Sequence, residues 1–314
     1  MSKEIKRMNK VAIVGTLAET GNLVYDEKMK NKSNDKIVGA ITRVDFKKPA
    51  FVIDVNGQKI GVNTLPTYKQ KEKDGKIVDN DRFKALEKVM EYPVGTRVKV
   101  DASIQVGKPY KTQSGNVAES VSIQMFGMSS TGVPEEDYAE GKISGYIKSI
   151  KDETRTVDDV EEETGRLAVD FWITNYDGTI SPFPLVVEND IAEGFSETYD
   201  DNDNAILSFD IIIKQVGGKK SQSAGFGRKE SKVTNGFIVT EYSVFDGESA
   251  LDEESEYYID EDVFKKLFKA HAQTVKEAKN STTNDSDSTK QKGLGSARKS
   301  HVEDVDDDDC PFDD

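Results

Sequence analysis

The chain has 314 residues, with 43 lysines and arginines against 58 aspartates and glutamates, a net charge of -15. A hydrophobic content of 35% beside a charged content of 32% excludes a chain packed throughout, and the length allows about two domains plus unpacked sequence. The single cysteine, Cys310, excludes a disulfide framework or a cysteine zinc site within one chain, and no stretch approaches the roughly 18 apolar residues of a membrane span, so a soluble cytoplasmic protein is expected.

In chain order, Asn9 to Leu17 is short, β-branched and rich in small residues, which predicts a strand that bends at Gly15. A basic loop comes next, carrying Lys28, Lys30, Lys32 and Lys36, and then a strand from Ile37 to Phe46. Phe51 to Val55 and Gln58 to Val62 flank Asn56-Gly57, the strongest short hairpin signal, because both turn positions need positive φ. Beyond Pro66 and a lysine-rich stretch the period changes. Phe83, Leu86, Val89 and Met90 predict one face of a helix over 79–92, capped by Asp79 or Asp81. Strands return from Val94 to Lys111, and a turn at Gly115 leads back along Val117 to Phe126. Strand, long loop, hairpin, helix and closing hairpin is the order of a five-stranded OB-type barrel.

Residues 139–247 repeat that order. Gly141 to Ile147 begins it, Leu167 to Ile173 joins Thr179 to Phe183 through Asp177-Gly178, a helical stretch runs over 188–199, and the final pair is 205–215 with 236–245. Gln-Val-Gly recurs at Gln105 and at Gln215. The expected fold is therefore mainly β: two tandem OB-type five-stranded barrels, each with a helix between strands 3 and 4, plus a C-terminal helix and a disordered acidic tail. The expected organisation is a basic OB-fold over 1–128, a linker over 129–138, an acidic second OB-like domain over 139–248, a helical segment over 249–279, and a linker with acidic tip over 280–314. In the helical segment Val263, Phe264, Leu267, Phe268 and His271 share one face.

Charge divides the chain in the same way. Residues 1–128 hold 23 Lys/Arg against 15 Asp/Glu, a net +8, whereas 129–314 hold 20 against 43, a net -23. The second repeat alone holds 11 against 22, a net -11. A basic half in an acidic protein points to a polyanion partner for that half.

Catalysis has little to work with. His271 and His301 have no nucleophile or metal-ligand partner at recognisable spacing, no phosphate-binding GxxxxGK loop is present, and no cofactor is implied. A metal-dependent nuclease built from distant carboxylates is the remaining catalytic reading. Binding of a single nucleic-acid strand needs cations along the phosphates and aromatic planes under the bases. Candidates in the first repeat are Lys28, Lys30, Lys32, Arg43, Phe46, Lys47, Lys48, Tyr68, Lys69, Lys108, Tyr110 and Lys111. The last hairpin of the second repeat adds Lys219, Lys220, Phe226, Arg228 and Lys229. Phe171, Trp172, Tyr176 and Phe183 read as core or hairpin residues. At the far end, Asp306, Asp307, Asp308 and Asp309 precede Pro311-Phe312, a carboxylate run beside an apolar plug that a partner pocket with a basic rim could accept.

Asn9 to Leu17, Asn22 to Tyr25, the strand from Ile37, the stretch Gly95 to Val100 followed by Tyr110 and Gly115, and the acidic end with Pro311-Phe312 together resemble bacterial and phage single-stranded DNA-binding proteins. This chain departs in its second barrel and in two aspartates beyond Phe312. The resemblance implies a non-enzymatic protein of the bacterial cell or phage-infected host that coats single-stranded DNA in replication, recombination or repair. It implies recruitment of replication and recombination proteins through the tip and assembly as a homo-oligomer, whereas the second barrel departs from the family's tetramer, since two barrels per chain could supply the same surface from fewer chains. The tip is expected to compete with DNA for the basic barrel. The alternative is an OB-fold scaffold for other replication or recombination proteins, supported by the acidic second repeat.

Overall fold

The computed structural model describes residues 6–26, 38–42, 49–112, 114–157, 160–216, 219–221, 232–234 and 237–280. The first half contains β1 (Asn9–Thr20), β2 (Asn22–Asp26), β3 (Val38–Thr42), β4 (Phe51–Val55), β5 (Gln58–Thr64), β6 (Thr67–Tyr68), β7 (Gln70–Lys73), β8 (Lys76–Asp79), α1 (Asp81–Val89), β9 (Arg97–Val106), β10 (Tyr110–Lys111), β11 (Val117–Ala118) and β12 (Val121–Ser129). The second half contains β13 (Tyr138–Val157), β14 (Val160–Thr174), β15 (Ile180–Val187), α2 (Asn189–Thr198), β16 (Asn204–Val216), β17 (Lys219–Ser221), β18 (Lys232–Thr234), β19 (Phe237–Gly247) and α3 (Glu261–Asn280).

Antiparallel pairing of β1 with β4, β4 with β5, β12 with β9 and β9 with β1, plus a short parallel contact between β5 and β12, closes a five-stranded barrel. In the second half β13 pairs with β14 and β16, β14 with β15, β16 with β19, and β15 with β19 in parallel. Alternation explains the closure. Along β9, Val98, Val100, Ala102, Ile104 and Val106 are buried while Arg97, Lys99, Asp101, Ser103 and Gln105 face outward, the period-two pattern of a strand with one wet face. Ile13, Leu17, Phe51, Ile53 and Val100 of the first half and Ile147, Phe171, Phe183, Leu207 and Phe209 of the second belong to one continuous buried core. Each such fully buried side chain contributes about 1.5–3 kcal/mol of transfer free energy.

One ladder joins the two halves: residues Asn9 to Val14 of β1 lie antiparallel to Tyr138 to Ile143 of β13. Further ties reinforce it. The Gln58 side-chain oxygen accepts from the Ile213 amide at 2.9 Å. Arg97 clamps the 130–137 connection by donating to the Pro134 carbonyl at 2.7 Å, to the Asp137 carboxylate at 2.5 Å and to the Glu135 carbonyl.

Local details differ from the expectations in three places. Asn80, not Asp79 or Asp81, caps α1, its side chain accepting from the Arg82 amide at 3.1 Å. Gly15 marks no bend: β1 runs through it, and a Cβ there would meet the Asp54 carbonyl oxygen at 2.3 Å, so glycine permits close approach of β4. The irregularity falls instead between Leu17 and Glu19. The lysine-rich stretch after Pro66 is an antiparallel hairpin, β7 with β8, turned at Asp74-Gly75 with φ of 52° and 71°. The Asn56-Gly57 turn has the positive φ values, 51° and 83°, that its sequence demands. Among the described residues no helix is long and apolar enough to cross a membrane.

Candidate nucleic-acid interface

Between β9 and β12 the chain makes a small excursion, the β10–β11 hairpin, with Tyr110 opposite Ala118 and Lys111 opposite Val117. Its base is closed by the Gly107 amide donating to the Ser120 carbonyl at 2.8 Å. Its tip is shaped by Thr112, whose amide and hydroxyl donate to the Asn116 carbonyl at 2.7 and 2.8 Å and whose carbonyl accepts from the Gly115 amide at 3.0 Å. Gly115 supplies the φ of 87°. The ring of Tyr110 remains 48% exposed, Lys108 beside it is exposed and Lys111 is half-buried. Two lysines and a half-exposed aromatic ring thus share one hydrogen-bonded hairpin.

Two elements of the second half bear on this hairpin, one of them in direct contact. One is α3, which runs against both β10 and β11. His271 Nε2 lies 2.6 Å from Glu119 Oε1, each side chain 11% exposed. Towards its start α3 lies on the outer face of β13, β14 and β15. There Phe264 stacks on Tyr146 with centroids 3.8 Å apart, and Trp172 takes Phe268 and His271 edge-on, each at 4.9 Å. Trp172 is only 5% exposed and donates through Nε1 to Asp170 at 2.8 Å. Buried hydrogen bonds between Asn204 and the Ile259 backbone, at 3.1 and 2.9 Å, fix the approach to the helix.

The other element is the β14–β15 turn, residues 175–179. Asp177 accepts from the Thr179 hydroxyl and amide at 2.6 and 3.1 Å. That hydroxyl bond is the main cause holding the Asp177 carboxyl below the usual carboxylate range, with a smaller contribution from the positive charge of Lys108. β15, into which the turn leads, lies against β9, which leads into the hairpin. Tyr176, at the turn, is 90% exposed, and the Arg7 guanidinium lies 4.7 Å from its ring centroid.

Of the residues expected at the interface, Lys108, Tyr110 and Lys111 come together on the hairpin. Tyr68 and Lys69 lie elsewhere, beside the start of α1, where Asn80 bonds to both of their carbonyl groups. Lys219 and Lys220 fall on β17, paired to β18; their side chains lie outside the described residues, as do Lys28, Lys30, Lys32, Arg43, Phe46, Lys47, Lys48, Phe226, Arg228 and Lys229. Asp306 to Asp309, Pro311 and Phe312 lie outside them too. Tyr176, Arg7 and α3 had no place in the expected site. A tyrosine directly before Asp-Gly at a turn was the available signal for Tyr176, since turn tips face solvent. Among the described residues no group of three or more His, Cys, Asp or Glu side chains is placed to hold a metal ion.

A family model described as YorF matches residues 7–281. No curated protein matches. Two similar solved structures are of the single-stranded DNA binding protein from Thermus aquaticus. A deletion mutant is 11% identical with a TM-score of 0.45, covering 79% of this chain and 97% of that one. The wild type is 10% identical with a TM-score of 0.44, covering 80% and 96%.

Proposed function

The chain belongs to the YorF family, and we propose that it binds single-stranded DNA without catalysis, coating exposed strands in replication, recombination or repair. The observation that carries this reading is Tyr110, half exposed between Lys108 and Lys111 on the hairpin that joins β9 to β12. Both sets of five strands are read as OB-type barrels, with α1 and α2 each preceding the fourth strand. On that topology β10–β11 is the loop between strands 4 and 5, one of those with which OB barrels hold oligonucleotides. Lysines neutralise phosphates while the ring stacks on a base, an interaction indifferent to sequence.

Recruitment of replication and recombination proteins by the acidic tip, and assembly of several chains, belong to the same proposal. A second reading, a scaffold for other proteins, draws support from α3 covering Trp172 and from the acidic second half. A salt-dependent anisotropy titration with labelled oligo-dT separates the two. Binding should weaken with a log–log slope of about -0.7 per phosphate contacted. No binding at low salt would sink the DNA reading and leave the scaffold.

A further inference from the structure

We infer that Tyr176, backed by Arg7, is a second base-stacking platform, through which a single strand leaving the Tyr110 hairpin passes onto the second half of the chain. The inference rests on the DNA reading above and names a site for it on an element whose surroundings are acidic.

A lone exposed aromatic is ordinary and needs no explanation. Tyr176 has three further properties. Its turn is preorganised: the Asn175 amide donates to the Thr179 carbonyl at 2.7 Å, and the Asn175 side chain donates to Thr179 and Ser181 at 3.0 and 2.9 Å. Gly178 supplies the φ of 81° that the tight turn requires. A turn held in this way loses little backbone freedom when a base stacks on the ring it carries.

The second property is the cation. Arg7 sits 4.7 Å from the ring centroid, and its backbone is pinned on both sides. The Lys6 amide donates to the Glu256 carbonyl at 3.3 Å, while Met8 and Ser144 exchange hydrogen bonds at 2.9 Å through amides, carbonyl and hydroxyl. The guanidinium thus occupies one side of a ring that is 90% exposed, leaving the other side to a base, with a positive charge in place for the adjoining phosphate. The third property is position. β15, which follows the turn, lies against β9, the strand that leads into the hairpin carrying Tyr110. Asp177 repels phosphate, but its Oδ1 is already engaged twice by Thr179.

The experiment compares the full chain with Tyr176→Ala, Tyr176→Phe and Tyr110→Ala on oligo-dT of about 8 and about 30 nucleotides, lengths chosen to engage one and two sites of the OB type. Tyr176→Ala should weaken binding of the long strand about tenfold and leave the short strand unaffected, as expected for loss of one stacked base. Tyr176→Phe should retain the wild-type affinity. Tyr110→Ala should weaken both lengths. Unchanged affinity of Tyr176→Ala for the long strand overturns the second platform while leaving the DNA reading intact. Equal loss at both lengths also overturns it, because Tyr176 would then belong to the first site. Failure of the unaltered chain to bind either strand overturns the DNA reading itself. Since the ring is exposed, thermal unfolding of the variants should coincide with that of the wild type.

Discussion

The barrel built on β1 and the strand set built on β13 repeat one order of pairings, down to the parallel contact between the third and fifth strands, yet they present opposite surfaces. On the first, the hairpin between β9 and β12 holds an aromatic ring and Lys108 towards solvent, with Lys111 half-buried beside them. On the second, the outer face of β13, β14 and β15 is filled by α3, and Tyr146 and Trp172, rings there suited to stack a base, are buried beneath it. One strand order can thus serve exposure in one copy and internal packing in the other, because chemistry resides in the loops and in what covers each face.

The contrast can be broken most severely at Phe264. Replacing this 5%-exposed ring with alanine should cost about 3–5 kcal/mol, measured by denaturant unfolding, and should shift the Trp172 emission towards the red as water reaches the indole. An unmoved spectrum would mean that α3 is not what shields it. Next in size is the first barrel's hairpin. Reversing Lys108 and Lys111 together to glutamate should weaken oligo-dT binding about 10- to 100-fold, or about 1.4–2.8 kcal/mol, and flatten its salt dependence; an unaltered salt slope would move the phosphate contacts elsewhere.

Two smaller tests use acid. Glu241 is 6% exposed and receives Arg166 at 2.8 Å as well as Lys214. Burial pushes its carboxyl up, but the hydrogen bonds and charges of those cations outweigh it and hold the group below its ordinary 4.5. A depressed acid stabilises the fold above its unfolded value and loses that stabilisation as pH falls through the folded value. Glu241→Gln should therefore lower stability by about 1–2 kcal/mol at neutral pH, with the deficit closing below about pH 4.5. An equal deficit at all pH values would reject the charge argument. Glu140 and Asp210 behave oppositely. They face each other across β13 and β16, and burial raises both carboxyls, Glu140 also through the charge of Asp210. A raised acid destabilises the fold when ionised and ceases to do so as pH falls. Glu140→Gln should thus stabilise at neutral pH by about 0.2–1 kcal/mol, towards the low end because Glu140 is exposed, and a melt unchanged between wild type and variant would refute the repulsion.

Local patterns were legible in the sequence wherever they were self-contained. Asn56-Gly57 announced its hairpin, and the spacing of Phe83, Leu86 and Val89 announced the buried face of α1. The β7–β8 hairpin was hidden because lysines masked its alternation, although Asp74-Gly75 was a usable turn signal. The periodicity of Phe264, Leu267 and Phe268 foretold an amphipathic helix but not its place, since an apolar stripe specifies burial and not a partner. The hydrogen bond from His271 to Glu119 spans 152 residues, and nothing local encodes it. At the interface, Lys108-Pro109-Tyr110-Lys111 was readable as a cluster, whereas the meeting of Arg7 with Tyr176 depends on the N-terminal segment lying beside β13, a purely tertiary fact.

The route taken by α3 also connects the two halves. The helix starts over Trp172, reaches the first barrel's hairpin at His271 and ends at Asn280, nine residues and about 14 Å further on at 1.5 Å per residue. The helix thereby links the outer face of β13, β14 and β15 to the β10–β11 hairpin of the first barrel. A single helix thus bears on both the packing around Trp172 and the hairpin that carries Tyr110.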